Sequence, residues 1–485
     1  MHLLQPELHS RRAFLRRSTQ LGLAGTALPF ALNLAAMGEA AAFSANDYKA
    51  LVCVFLYGGN DYANTVITYD DASYGRYSTI RGGGVGQSGG GIALAKADLA
   101  STLLTPTTPL PGGRQYALHP AMTGLAGLFN SGKAAVQLNV GPLAVPLTRT
   151  QYNSADRATY PLPPKLFSHN DQQSVWQSSS AEGSTVGWGG HVGDLALSSN
   201  GNSLFTCISV TGNAVFLSGD SALQYQVSTN GAVAVNGVKS KVYGSSAVQA
   251  ALTTLIQQPR TQTLENEYNR VTTRAVNAES QITGALSGVT LATAFPANNT
   301  LANQLKMVAR LIGARSTLGS KRQVFMVSLG GFDLHDNLIA QQPTLLQRVS
   351  EAMTAFHSAT VELGIAEKVT AFTASDFGRT LSSNGDGSDH GWGSHHLMVG
   401  GAVKGKAFYG SAPPVSITNT AAPDDQWHVG QGRLLPSTSV DQYAATLAKW
   451  FGVAEAEMPR VLPNSVRFGA AAGRPDYPVD LGFMA

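Results

Sequence analysis

Residues 368–396 read KVTAFTASDFGRTLSSNGDGSDHGWGSHH. An apolar run, Lys368 to Thr373, gives way at Ala374-Ser375-Asp376 to a polar, glycine-rich stretch holding Arg379, Asp386, Asp389, His390, His395 and His396. A short apolar run without polar alternation suits a strand covered on both faces, as in a parallel sheet. Carboxylates and imidazoles gathered just past such a strand are the ligand types of a hard or borderline cation, or of an anion-handling site. A solvated polar loop is the plainer alternative; recurrence of the pattern elsewhere weighs against it.

Two further apolar runs end the same way. Leu51 to Leu56 (LVCVFL) is followed by Tyr57-Gly58-Gly59-Asn60-Asp61, and Val324 to Leu329 (VFMVSL) by Gly330-Gly331-Phe332-Asp333-Leu334-His335. Glycines at these points let the backbone turn sharply and approach a ligand closely. In open α/β sheets the ligand crevice lies beyond the carboxyl ends of the strands. Three aspartates delivered there repel one another unless protons or a cation intervene. The expectation is therefore an α/β fold with a mostly parallel central sheet flanked by helices, in which Asp61, Asp333 and Asp376 converge.

The 485 residues suffice for one large α/β domain with insertions, or for two domains. We read residues 43–485 as a single domain. The first 42 residues hold four arginines and two glutamates; the remainder carries 29 basic and 28 acidic side chains, a formal +1. With no basic run in that remainder, nucleic acid is not an expected partner. Two cysteines, Cys53 and Cys207, both in apolar runs, exclude a disulfide framework. Ser10-Arg11-Arg12-Ala13-Phe14-Leu15-Arg16, the apolar stretch Leu21 to Met37 and Ala40-Ala41-Ala42 form a twin-arginine export signal over residues 1–42. The expected partner is the twin-arginine translocase, the expected address periplasmic or secreted. No stable membrane anchor is expected, because Gly22, Gly25, Pro29 and Asn33 weaken the apolar stretch as a span.

Gly84-Val85-Gly86-Gln87-Ser88-Gly89 formally matches a dinucleotide fingerprint, but no apolar strand precedes it and no helix opens at its third glycine, so a loop is expected. Ser168 reads as the cap of a helix beginning SHNDQQSVW, which puts its hydroxyl in the positive field of the helix end. Residues 200–250 alternate polar and apolar, with hairpin signals at Asn230-Gly231 and Asn236-Gly237, and suggest a β-rich insertion. Amphipathic helices are expected over 261–286, 300–318, 343–363 and 440–451, with His357 on the surface.

As a set, LYGGNDYANTV (56–66), LHPAM (118–122), SHNDQQSVWQ (168–177), LGGFDLHDN (329–337), SDFGRT (375–380), DHGWGSHH (389–396) and STSVDQYAATLAKWFGV (437–453) resemble the exported bacterial "domain of unknown function 1501" family across nearly the whole chain. That family is placed with the alkaline-phosphatase and sulfatase superfamily, metal-dependent enzymes acting on phosphate or sulfate esters. The resemblance implies a divalent cation (Zn, Mn, Mg or Ca) and a small anionic ester substrate. It implies Asp61 as the first-strand metal aspartate and Ser168 as the nucleophile. Asp333 and His335 resemble the superfamily's metal pair, although they lie two residues apart where the usual pair lies four. Asp376 resembles the aspartate of its Asp-His-Gly turn, with Phe377 standing where the histidine belongs; His390 or His396 would supply the remaining imidazole.

Arg379 is then expected either to clamp the ester's anion or to close the loop by a salt bridge. Asn60, Asn64, His169 and His395 are expected to help bind substrate. The function implied is an exported metal-dependent hydrolase of a phosphate, phosphonate or sulfate ester. The alternative is a non-catalytic exported binding or surface-assembly protein that keeps the fold, a reading that Phe377 favours.

Overall fold

A computed structural model describes residues 45–82 and 91–485; residues 1–42, expected to be an export signal, and the 84–89 glycine stretch lie outside the described residues. The strands are β1 Lys49–Leu56, β2 Val66–Thr68, β3 Tyr116–Leu118, β4 Ala134–Gly141, β5 Cys207–Ser209, β6 Gln224–Ser228, β7 Gly231–Ala232, β8 Arg322–Leu329, β9 Val369–Ser375, β10 Ser394–Gly400, β11 Phe408–Tyr409 and β12 Thr438–Ser439. The main sheet runs β11-β4-β10-β9-β1-β8-β5-β6-β7, with β12 also pairing to β4. It is mixed and mostly parallel: β10 is antiparallel to both β4 and β9, and β6-β7 is a hairpin. The principal helices are α1 Thr123–Asn130, α2 His169–Ser178, α3 Trp188–Ala196, α4 Ser246–Gln257, α5 Thr263–Ser287, α6 Thr300–Gly313, α7 Leu338–Glu362 and α8 Val440–Phe451.

Period-two alternation builds both faces from each central strand. In β1, Ala50, Val52, Val54 and Leu56 join one apolar cluster with α1, α6, α7 and the second half of α5. Leu51, Cys53 and Phe55 join the other, with Trp176 of α2, Trp188 of α3 and most of α8. Both cysteines are free and buried, as expected of small apolar side chains.

The segment 200–250 is only partly β. The Asn230-Gly231 hairpin forms between β6 and β7, and β5 extends the main sheet beyond β8 in parallel. Asn236–Lys239 form a single helical turn, and Ser246–Gln257 form α4, where Ser245 caps the N-terminus and the apolar residues follow helical spacing. His357 is buried in α7 rather than exposed, and burial lowers its pKa.

Asp441, in the first turn of α8, is buried and accepts from the hydroxyls of Ser179 and Ser439. Burial outweighs these bonds and pushes its carboxyl up to about 6. A raised folded-state pKa favours the protonated form, so the cost of ionisation is absent below pH 4 and complete above pH 6. Asp441→Asn should therefore gain stability relative to the parent as pH rises, by up to about 2–3 kcal/mol. Urea unfolding of both proteins at pH 4 and pH 8 measures the difference; an equal gap at both pH values would refute it.

Candidate metal centre

β9, β1 and β8 are neighbours, and Leu56 stands in register with both Leu329 and Ser375. Their carboxyl ends are thus flush, and the loops after them meet. Gly58, at φ +114°, makes this possible: a Cβ there would sit 2.4 Å from the Asp333 nitrogen. Gly59 likewise leaves room for the Phe377 ring.

Three imidazoles enter this edge from separate segments. The Nδ1 of His169, first residue of α2, lies 2.7 Å from Asp376 Oδ2. His390 Nδ1 lies 2.7 Å from the Phe167 carbonyl, and His335 Nδ1 3.2 Å from Asp389 Oδ1. Carbonyl and carboxylate oxygens accept, so each Nδ1 carries a hydrogen, and in the neutral form of each ring Nε2 presents its lone pair. All three Nε2 atoms face Asp333. Those of His335 and His390 lie 3.2 and 3.3 Å from its Oδ1, and that of His169 3.4 Å from its Oδ2. The His335 and His390 Nε2 atoms are only 2.9 Å apart. His169 Nε2 is buried with no hydrogen-bond partner among the described residues.

Acceptors so close repel unless a proton or cation lies among them. Imidazoles whose outer nitrogens are bonded to carboxylate or carbonyl, with inner nitrogens converging on a carboxylate, are the donor arrangement of a divalent cation. The ligand atoms of His169, Asp333 and His390 all lie within 4.8 Å of one another. The bond to Asp376 raises the His169 pKa against the opposing effect of burial. Burial lowers that of His390, although the Phe167 carbonyl favours its charged form. Burial alone would raise the Asp333 carboxyl, but the Arg379 bond and charge hold it below its ordinary value.

Two side chains shape the cluster. Phe377 is buried, with ring centroids 4.8 Å from His169 and 4.7 Å from His390, so it is a wall that spaces the imidazoles. Arg379 is wholly buried and spends its five N–H groups on the protein. It donates to the carbonyls of Gly58, Gly59, Phe332 and Ser388, to Asp333 Oδ1 and toward His335 Nε2. Ahead of α2, Lys165 and Phe167 both hold positive φ, backbone strain of the kind that clusters at functional sites.

The family model described as "Protein of unknown function (DUF1501)" matches residues 48–458. The chain belongs to the DUF1501 family. Among curated proteins none matches. Solved structures similar to this DUF1501 chain include Ps i-CgsB in complex with k-i-k-neocarrahexaose (9% identity, 90% of this chain and 78% of that one, TM-score 0.35). The lipoteichoic acid synthase LtaP from Listeria monocytogenes also matches (9% identity, 79% and 72%, TM-score 0.28). So does BT33494S-sulf, from work on glycosaminoglycan metabolism by bacteroides thetaiotaomicron (9% identity, 85% and 74%, TM-score 0.30).

Within this DUF1501 chain the expected residues divide. Asp333, His335 and His390 meet, and His169, expected only to help bind substrate, joins them directly. Asp376 stands behind His169, where its Oδ2 also accepts from Gly58 N and Gln173 Nε2. Asp61 is not free to ligate: both oxygens accept from the buried Arg81, and Ser388 Oγ donates to it at 2.6 Å. His396 is not a ligand either, because alternation in β10 turns it into apolar packing against Trp176, 4.9 Å away, and Tyr443. His395 turns the other way, between Tyr62 and Tyr116, and accepts from Asn139 N. Burial pushes both down to about 3. Asn60 and Asn64 serve the turn, accepting from Thr65 and Tyr77, and do not face the cluster. The Ser168 hydroxyl is bonded to Asp171 on its own helix, not aimed at Asp333. Of the two roles expected of Arg379, the geometry has the salt bridge that closes the loop.

Arg379→Lys should cost about 3–5 kcal/mol, since an ammonium cannot reproduce the planar fork and leaves buried carbonyls and Asp333 unpaired. Chemical denaturation measures this; unchanged stability would return Arg379 to substrate binding.

Proposed function

We propose that the chain is a hydrolase of a phosphate or sulfate ester that works with a divalent cation held by His169, Asp333, His335 and His390. The observation that carries this reading is the convergence of three outward-bonded imidazoles on one carboxylate. When bound, the cation would polarise the ester and stabilise charge developing on its oxygens. Asp376, the Phe167 carbonyl and Asp389 fix the tautomer and orientation of the three rings. Phe377 excludes water from one side of the cluster. Arg433 is the arginine suited to meet the anion: its Nε donates to the His390 carbonyl at 2.7 Å and its guanidinium lies over Phe167. Its terminal nitrogens make no hydrogen bond among the described residues, although the Asp389 carboxylate lies near enough to feel their charge, and such groups suit the oxygens of a phosphate or sulfate. The family membership is consistent with this reading. The pattern within residues 1–42 supports export by the twin-arginine route to the periplasm or beyond.

A second reading has its own observation. The guanidinium of Arg379, bonded to Asp333, already supplies a positive charge to the cluster, so a metal-free protein with a binding role also accounts for the carboxylate.

Metal analysis separates the two. On the hydrolase reading, purified protein reconstituted with Zn, Mn, Mg or Ca holds stoichiometric metal, Asp333→Asn loses it, and Asp61→Asn keeps it while losing stability. Turnover of chromogenic phosphate or sulfate esters accompanies occupancy, and Arg433→Gln raises KM more than it lowers kcat. Full occupancy without turnover on any ester would sink the hydrolase reading, and no stoichiometric metal would favour the binder.

A further inference from the structure

Nine of the eleven large apolar side chains exposed among the described residues fall between Leu223 and Val271. Three lie on α5. Its positions 264, 268, 271, 275, 278, 282 and 285 are Leu, Tyr, Val, Ala, Ala, Ile and Ala, spaced alternately by four and three. That is the seam of a coiled coil. The second half of the seam, from Ala278, is buried against the core. In the first half Leu264 is 86% exposed, Tyr268 67% and Val271 51%.

The neighbouring helix does not cover it. α4 and the turn after it pack on the opposite side of α5. There Asn269 Nδ2 donates to the carbonyls of Leu255 and Gln258, and Asn266 Oδ1 accepts from Arg260 N. A polar stripe is thus capped while the apolar one is left open, which marks an interaction surface.

The flanking charges say what fits. Glu267 and Arg274 lie on the same side of the seam, one heptad apart. In a parallel pair of such helices that side meets the other flank, where Glu267 would face Thr272 and Arg274 would face Glu279, which is buried and already paired with Lys239; in an antiparallel pair it meets itself. An antiparallel copy sets Glu267 against the partner's Arg274 twice, and stacks Leu264 on Ala275 and Tyr268 on Val271, large against small. We propose that the chain self-associates through the first half of α5, docked antiparallel on the same segment of a second copy. This is independent of the hydrolase reading. Within one chain Glu267 pairs with Arg270, an exposed ion pair that gives little to hold it.

Sedimentation equilibrium of the full chain, with circular dichroism as a check on folding, tests this. A dimer is expected at tens of micromolar, and Leu264→Glu with Tyr268→Glu should weaken it by about tenfold or more. Glu267→Arg and Arg274→Glu should each weaken it roughly threefold to tenfold, and the double exchange should restore it. A parent protein monomeric up to ~100 micromolar, a free energy of association weaker than about −5.5 kcal/mol, overturns the proposal. A dimer indifferent to the apolar changes also overturns it, and failure of the double exchange to restore pairing overturns the antiparallel arrangement.

Discussion

One guanidinium, buried where three strands end, sets the geometry of everything around it. Arg379 follows β9 by four residues, yet its bonds go to the loops after β1 and β8 and to Ser388 before β10. Carbonyls crowded at the end of a sheet repel, and a planar donor with five N–H groups satisfies several at once. Removing it from water costs several kcal/mol, which only bonds to charged and polar partners on all sides can offset. Asp333 is the anion that completes this arrangement. The same carboxylate faces the imidazoles, so the piece that fastens the loops also sets the charge of the candidate site.

A second buried ion pair does comparable service a few residues away. Arg81 holds Asp61, Asp61 caps the turn at Asn64 and accepts from Ser388, and Arg81 reaches the Thr380 carbonyl. Two arginines on different chain segments thus tie the β1 loop to the loop after β9. The imidazoles sit on a frame whose rigidity comes from these ties and from Phe377, rather than from the glycine-rich segments that carry them.

Much of the fold was legible because continuous apolar runs bounded by glycine are unambiguous: β1, β8 and β9 lie where the runs do. That the loops after β1, β8 and β9 meet was expected from the shared Asp endings and the crevice rule; the side-by-side order of the strands is the structure's own. Sequence reasoning failed at the level of partners. An aspartate near a strand end looks the same whether a metal or an arginine answers it, and Arg81, buried beyond the β1 loop, gave no signal linking it to Asp61. His395 and His396 were read by proximity to His390, whereas strand alternation, itself visible in SHHLMV, sends them to opposite faces. His169 was given only a supporting role in substrate binding because it adjoins Ser168; its place at the first turn of a helix pointing at the sheet edge was the missed clue. The expected hairpin at Asn236-Gly237 failed because the dipeptide also tolerates a helix start.

The cluster joins positions far apart along the chain: 55 residues separate His335 from His390, and 207 separate His169 from Asp376. An unfolded chain holds such positions apart, and closing spans of that length costs entropy that only the folded structure repays. Anything that binds the assembled rings binds the finished chain alone, and adds to its stability by mass action without rewarding earlier intermediates. The site therefore acts as a checksum: its occupancy reports that every distant segment has reached its place.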